Sequence, residues 1–158
     1  MKQLKFAAAG TLALALCGSA LASSHAASQT LEFTSISKST VMTPPASKAS
    51  PPKVGDRLVF TDVMYNGAAQ LGKPRGALVG RSEGVCTLMS ATKPEAQCLI
   101  TAHLPNGEIV VVGEGDPGGK AMQYAITGGV GAYANARGTV VARNVSDTKT
   151  IILVRLAV

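Results

Sequence analysis

The chain has 158 residues, a length typical of one domain, with 4% aromatic and 15% charged residues and a formal net charge of +6. No run of five like charges occurs, and no basic stretch is interleaved with aromatic residues. Nucleic-acid binding is therefore disfavoured as a function.

The first 22 residues have the pattern of a secretory signal peptide. Lys2 and Lys5 form a basic start, and the apolar run at 6–16 is too short to cross a bilayer as a helix. Cleavage is predicted between Ala22 and Ser23, with Ala26 as an alternative cleavage end, and it lowers the net charge to +4. The mature chain is then expected to be secreted or periplasmic, with no stable membrane span.

A lipoprotein is the alternative reading of the same leader. Cys17 would be the acylated residue, but Leu16 stands directly before it, where a small residue is needed. The signal peptide is the preferred interpretation.

Residues 23–53 combine one strand with a linker. A first strand is predicted over 30–37. Residues 38–53 are rich in Ser, Thr, Lys and Pro, a composition typical of a loop lying over the surface.

Residues 54–158 alternate between strands and turns. Gly80 and Gly84 are expected at bulges or bends, and Gly128-Gly129 at an interruption. Strands are predicted over 57–65, 77–90, 97–104, 108–113, 122–127, 136–144 and 150–158.

Short connections between these strands indicate antiparallel pairing. The runs at 109–112 and 151–154 are apolar on both faces. A closed eight-stranded antiparallel β-barrel, with a filled or ligand-lined interior and an outer face covered by a partner subunit, explains such strands.

Cys86 and Cys98 are the two thiols left after cleavage, and they flank Thr92 symmetrically. An oxidising compartment favours a disulfide between them over two buried free thiols. Neither thiol belongs to a zinc-spaced cluster, and His103 is expected to be structural, so no metal site is predicted.

Several segments resemble the barrel superfamily of allene oxide cyclases and dirigent proteins. The matching segments lie at 54–61, 71–72, 78–88, 125–133 and 136–138. The Ala125-Ile126-Thr127-Gly128-Gly129-Val130-Gly131 run is the most distinctive of them. The resemblance covers residues 54–158, with a weaker match at 30–37.

The resemblance implies an eight-stranded barrel around an apolar cavity, often trimeric, that needs no metal or redox cofactor. Allene oxide cyclases close a fatty-acid epoxide, and dirigent proteins steer the coupling of phenoxy radicals. For this chain it implies a small hydrophobic or phenolic ligand, held in a reactive conformer. Whether the chain is an enzyme stays open, and a cofactor-free isomerase or cyclase is the expected type.

The resemblance also supplies candidate site residues. Glu32 matches the acid of the cyclases, and Thr34 stands where their asparagine would be. Cys86 matches a cyclase pocket cysteine, although a disulfide would occupy it. Arg137 matches the arginine of a dirigent Ala-Arg-Gly motif.

Each candidate has a structural alternative. Glu32 would act as acid or base only if it faces the barrel interior, and otherwise it is a solvated strand residue. Arg137 would present a cation to a ligand, or instead form an ion pair with Asp56 or Asp62. The hydroxyls of Tyr65 and Tyr133 would bind a ligand or merely cap half-buried packing residues.

Two functions follow. The first is an exported barrel that binds a lipophilic or aromatic molecule and cyclises or isomerises it, with Glu32 and Arg137 as catalytic residues. The second is a non-catalytic carrier of such a molecule, or a surface interaction module.

Overall fold

The computed structural model describes residues 28–47, 50–67, 76–90 and 92–157. The strands in this part of the chain close into one barrel in sequential order, and every neighbouring pair is antiparallel. They are β1 (Ser28–Thr43), β2 (Arg57–Asn66), β3 (Leu78–Leu88), β4 (Ala96–Leu104), β5 (Gly107–Gly115), β6 (Ala121–Gly131), β7 (Arg137–Ser146) and β8 (Lys149–Ala157).

The predicted fold class is confirmed. Pairing of β1 with β8 closes the sheet, so no strand edge is left for intermolecular pairing. Alternate residues of each strand point inward, and their apolar side chains form one buried core.

The predicted linker begins too early. Residues 38–43 continue β1 and pair with β2, with Lys38 left as an extra residue between Ser37 and Ser39. The pairing of Val41 with Val59 outweighs the polar local composition. The bulge also reverses which side chains face inward, so Ser37 and Thr40 both line the interior.

The glycines of β6 were also misread as an interruption. Gly128 and Gly129 lie inside the strand, where they pair with Val110 and Ile109 of β5. The shift in register falls one residue earlier, at Thr127. A Cβ on Gly129 would lie 2.5 Å from the carbonyl oxygen of Glu108, so this position needs glycine for close backbone approach.

Gly84 does not lie at a bulge, because β3 keeps its register with β2 and β4 on both sides of it. It instead makes room inside the barrel. A Cβ there would lie 2.8 Å from Phe60 Cζ and 2.9 Å from Ile100 Cγ1. The only register shift between β2 and β3 lies at Val79, beside Gly80.

The outer face carries an apolar row across β1 to β5. Val41, Val59, Val85, Leu99 and Val112 are successive cross-strand partners, and we call them the outer row. Val41, Val59 and Leu99 are 53%, 44% and 49% exposed. Large apolar side chains aligned in this way are unusual on a solvated barrel.

Two predictions concern segments beyond the described residues. The signal peptide and Cys17 both lie within residues 1–27, and Leu71-Gly72 of the resemblance also lies outside. Among the residues that are described, no helix is long and apolar enough to span a membrane.

Candidate functional site

The barrel encloses a cavity of about 570 Å³, a volume suited to a small organic ligand. Its walls are mainly apolar. Residues 117–120 of the β5–β6 loop and residues 144–148, which span the end of β7 and the turn to β8, frame a mouth at one end. Apolar wall residues include Phe33, Phe60, Met64, Ile100, Val111, Val140, Ala142, Ile152 and Val154.

An ionisable group on β2 projects from the wall into this mainly apolar space. Asp62 lies on β2 between Ser37 of β1 and Ser82 of β3, its two cross-strand partners, and all three line the cavity. Ser35 Oγ donates a hydrogen bond of 2.8 Å to Asp62 Oδ2. An acid and three hydroxyls therefore form a polar cluster, the Asp62 cluster, within a mainly apolar chamber.

Burial controls the electrostatics of this cluster. Desolvation raises the pKa of Asp62 above its ordinary value of 3.8, while hydrogen bonds from Ser35 and Ser37 lower it by less. The result is a carboxyl that is a stronger base than an exposed aspartate when ionised. A carboxyl with these properties in a cavity is a candidate acid–base group.

Tyr124 is a second polar group in the cavity. It lies on β6 and is buried, and desolvation raises the pKa of its phenol to about 12. Its hydroxyl donates to Met122 Sδ at 3.3 Å, and sulfur is a weak acceptor. The ring lies against Gly113, where a Cβ would approach Tyr124 Cδ1 to 2.6 Å.

Asn144 fixes the shape of the mouth. Its Nδ2 donates to the carbonyl oxygens of Gly119 at 2.7 Å and Pro117 at 3.2 Å. Thr150 Oγ1 donates to Asn144 Oδ1 at 2.9 Å. These hydrogen bonds connect the β5–β6 loop to β7, and β7 to β8, at the entrance.

The predicted disulfide is confirmed. Cys86 on β3 and Cys98 on β4 are direct cross-strand partners and are bonded to each other. Both cysteines are buried, and Cys86 lines the cavity. The bond therefore crosslinks the wall, and the cyclase-like role of Cys86 as a free thiol does not apply.

The two predicted charges lie outside the cavity. Glu32 is exposed on the opposite face of β1 from Phe33 and does not line the chamber. Arg137 is also exposed, and its Nη1 donates to the carbonyl oxygen of Ala136 at 2.8 Å. The condition set for Glu32, that it faces the interior, is not met, and catalytic roles for both residues stay untested predictions.

The predicted ligand-binding residues are likewise not brought together in the cavity. Thr34 is buried on the outer side of β1, where its Oγ1 donates to the carbonyl oxygen of Gly67 at 2.8 Å. Tyr65, its partner on β2, is half-buried. Tyr133 is half-buried in the β6–β7 turn and packs against the core. None of the three lines the chamber.

Sequence reasoning missed the residues that do line it. Asp62 follows Leu58 and Phe60 at two-residue spacing and precedes Met64, so an acid interrupts an apolar strand face. Tyr124 stands between Met122 and Ile126 on a similar face. The alternation was present in the sequence, but only barrel closure showed that this face lines a cavity.

His103 lies on the outer surface, where it has a structural role. Its Nε2 lies 2.9 Å from Glu83 Oε1, and its Nδ1 lies 2.8 Å from Glu108 Oε1. No group of three or more His, Cys, Asp or Glu side chains in the described ranges could hold a metal ion.

The chain thus forms a closed antiparallel barrel around a mainly apolar cavity. The sequence profile of the dirigent-like protein family matches residues 26–158, and the chain belongs to that family. No curated protein matches the sequence significantly.

Solved structures show the same architecture. A pyocyanin demethylase is 25% identical, with a TM-score of 0.65 over 81% of this chain and 99% of its own. A pterocarpan synthase dirigent protein is 19% identical, with a TM-score of 0.62 over 82% of this chain and 83% of its own. A heme-binding cyclase that catalyses a 4 + 2 cycloaddition is 18% identical, with a TM-score of 0.56 over 85% and 70%.

Proposed function

We propose that the barrel binds a small lipophilic or aromatic molecule in its cavity and isomerises or cyclises it, with Asp62 as the acid–base group. The observation that carries this proposal is the desolvated Asp62 carboxyl in a mainly apolar chamber of about 570 Å³. The likeness to a pyocyanin demethylase, a protein named for its action on an aromatic molecule, supports an aromatic ligand.

The chemistry needs only proton transfer and a fixed conformer. Ionised Asp62 would take a proton from a carbon or oxygen of the ligand, and protonated Asp62 would return it at another atom. Ser35 and Ser37 donate to the carboxyl and hold it in place. The apolar walls hold the reacting atoms together and keep water away.

A Kemp elimination tests the base directly. In 5-nitrobenzisoxazole, a base removes the proton at C3, the C–H electron pair forms a nitrile, and the N–O bond breaks to leave a phenolate. We expect acceleration by the wild-type protein and a loss of about 100-fold or more in Asp62→Asn. The rate should also fall as the pH drops through the raised pKa of Asp62.

Glu32→Gln is the matched control, because it makes the same chemical change on the outer face. Its exposed position predicts an unchanged rate. Equal Kemp elimination rates in the wild type and Asp62→Asn would refute the acid–base role of Asp62. A lower rate in Glu32→Gln would support Glu32 as the acid–base residue, as the resemblance implies.

The alternative is a non-catalytic carrier, favoured because the other ionisable groups that line the described cavity, Lys120, Tyr124 and Asp147, lie on elements other than β2 and its neighbours β1 and β3. Native mass spectrometry of the purified protein separates the two functions. A co-purified ligand released unchanged, together with no Kemp activity, would identify a carrier.

Export is part of the proposal. A crosslink between Cys86 and Cys98 persists in oxidising compartments, which supports secretion or a periplasmic location. N-terminal sequencing of the mature protein should begin near Ser23. Retention of the full leader would count against export.

We also propose that the chain forms a homotrimer through the outer row. Arg57 on β2 and Glu114 on β5 lie in the adjacent cross-strand row, with Thr87 and Gln97 between them. Their opposite charges, separated by two strands, suit a head-to-tail contact between copies, and such contacts close into rings.

A further inference from the structure

Two polar groups of the cavity, Asp62 and Tyr124, lie on opposite walls. Asp62 is on β2 and Tyr124 is on β6, and in a closed barrel of eight sequential strands these two strands are separated by three strands in either direction. The walls between them are mainly apolar, with Ile100 on β4, Val111 on β5 and Ile152 on β8 among the side chains that line the chamber. A bound molecule between β2 and β6 meets a polar group at each end and hydrocarbon along its length.

The two groups differ in hydrogen-bonding character. The phenol of Tyr124, with its pKa raised to about 12, stays protonated, and its present acceptor is the weakly accepting Met122 sulfur. It is therefore ready to donate to a better acceptor. Asp62, when ionised, can only accept hydrogen bonds.

The described lining of the chamber also has little positive charge. Among the described residues that line it, Lys120 is the only lysine or arginine, and it lies in the β5–β6 loop at the mouth. The interior therefore holds a carboxyl with no cation beside it. A ligand carrying its own carboxylate would bring two like charges into an apolar space, which is strongly unfavourable.

We propose that the cavity selects neutral or cationic flat molecules that present a hydrogen-bond donor to Asp62 and an acceptor to Tyr124 at opposite edges, and rejects anions such as fatty-acid carboxylates. This inference rests on the proposed binding function and adds the ligand class and its orientation. It also separates this chain from barrels whose substrates carry a carboxylate.

Three tricyclic probes test the selection. Acridone has an N–H and a carbonyl on opposite edges, xanthone replaces the N–H by an ether oxygen, and acridone-4-carboxylate adds a negative charge. Titration calorimetry with the full chain should rank acridone above xanthone and above acridone-4-carboxylate, each by about tenfold or more in Kd.

Single-residue variants show which side chain causes each difference in affinity between the probes. Tyr124→Phe should bind acridone and xanthone about equally more weakly, with Kd raised five- to tenfold, because both probes carry the carbonyl. Asp62→Asn should narrow the gap between acridone and its carboxylate, since the buried charge is gone. Tyr133→Phe is the matched control, because its hydroxyl does not line the cavity and its removal should leave all three affinities unchanged.

The outcomes distinguish failure of the proposed ligand class from failure of the proposed function. Equal affinities of the wild type for acridone and its carboxylate would overturn the proposed ligand class but not binding in the cavity. Unchanged affinities of Tyr124→Phe for acridone and xanthone would do the same. Failure of all three probes to bind the wild type would overturn this inference, and absent Kemp activity in the same preparation would overturn the proposed function with it.

Discussion

Ser35 on β1 donates a 2.8 Å hydrogen bond from Oγ to Oδ2 of Asp62 on β2, inside the barrel. Ser35 is buried, so this bond lies away from solvent. The hydrogen bond favours the ionised carboxyl, but burial disfavours it more, and the pKa of Asp62 is raised. Asp62 thus reduces the stability of the folded chain whenever it is ionised.

Replacing Asp62 should therefore change how stability depends on pH. The pKa of Asp62 in the folded chain lies above the value of 3.8 that holds when it is exposed. The folded state then binds the proton more tightly than the unfolded state, so the free energy of unfolding falls as the pH rises through the folded pKa.

Asp62→Asn removes this titration, so its Tm relative to the wild type should rise from pH 3 to pH 7. Thermal unfolding followed by circular dichroism across this range measures the difference. A Tm difference that does not vary with pH would contradict the raised pKa.

Removing the disulfide should destabilise the barrel by about 3 kcal/mol, the value expected for a short closed loop. The bond joins positions 12 residues apart, so the double variant Cys86→Ala, Cys98→Ala frees only the β3–β4 hairpin. Urea unfolding measures the change. Dithiothreitol should lower the midpoint of the wild type and leave the variant unaffected; equal sensitivity of both proteins would show that the bond does not form.

Filling the cavity should abolish ligand binding without unfolding the barrel. Ala142 faces the chamber on β7, so Ala142→Phe places a ring where a ligand would lie. We expect at least a tenfold loss of acridone affinity by calorimetry. Ala125→Phe on the exposed outer side of β6 is the control and should bind normally; a matching loss there would mean that the probe binds outside the chamber.

Charging the outer row should dissociate the proposed trimer. Val59 and Leu99 are 44% and 49% exposed, so a lysine at either position would bury a charge between subunits but remain solvated in a monomer. Sedimentation velocity should show monomers for Val59→Lys and Leu99→Lys. Leu78→Lys, at an exposed position outside the row, should stay assembled. A wild-type monomer would refute the trimer.

Much of the architecture could be predicted from residue patterns. Strand–turn alternation, short connections and doubly apolar strands such as 109–112 indicated a closed antiparallel barrel. The symmetry of Cys86 and Cys98 about one turn indicated their bond. These features depend on neighbours along the chain or on one hairpin, so local sequence carries them.

The strand limits predicted at 38–43 and at Gly128-Gly129 were wrong because they depend on distant parts of the chain and not on local sequence. Each segment has unfavourable local composition, and each is held in the sheet by pairing with a distant strand. Tertiary pairing overrides weak strand preference, and the bulges at Lys38 and Thr127 adjust the register.

The sequence by itself determined the strands, their antiparallel order and the crosslink, because hydrophobic period and hairpin length are local properties. Only the closed barrel decided which acid is buried. Closure leaves Glu32 in solvent and brings Asp62 into a mainly apolar chamber across from Tyr124, and desolvation depends on everything that surrounds a group, not on its neighbours in the chain.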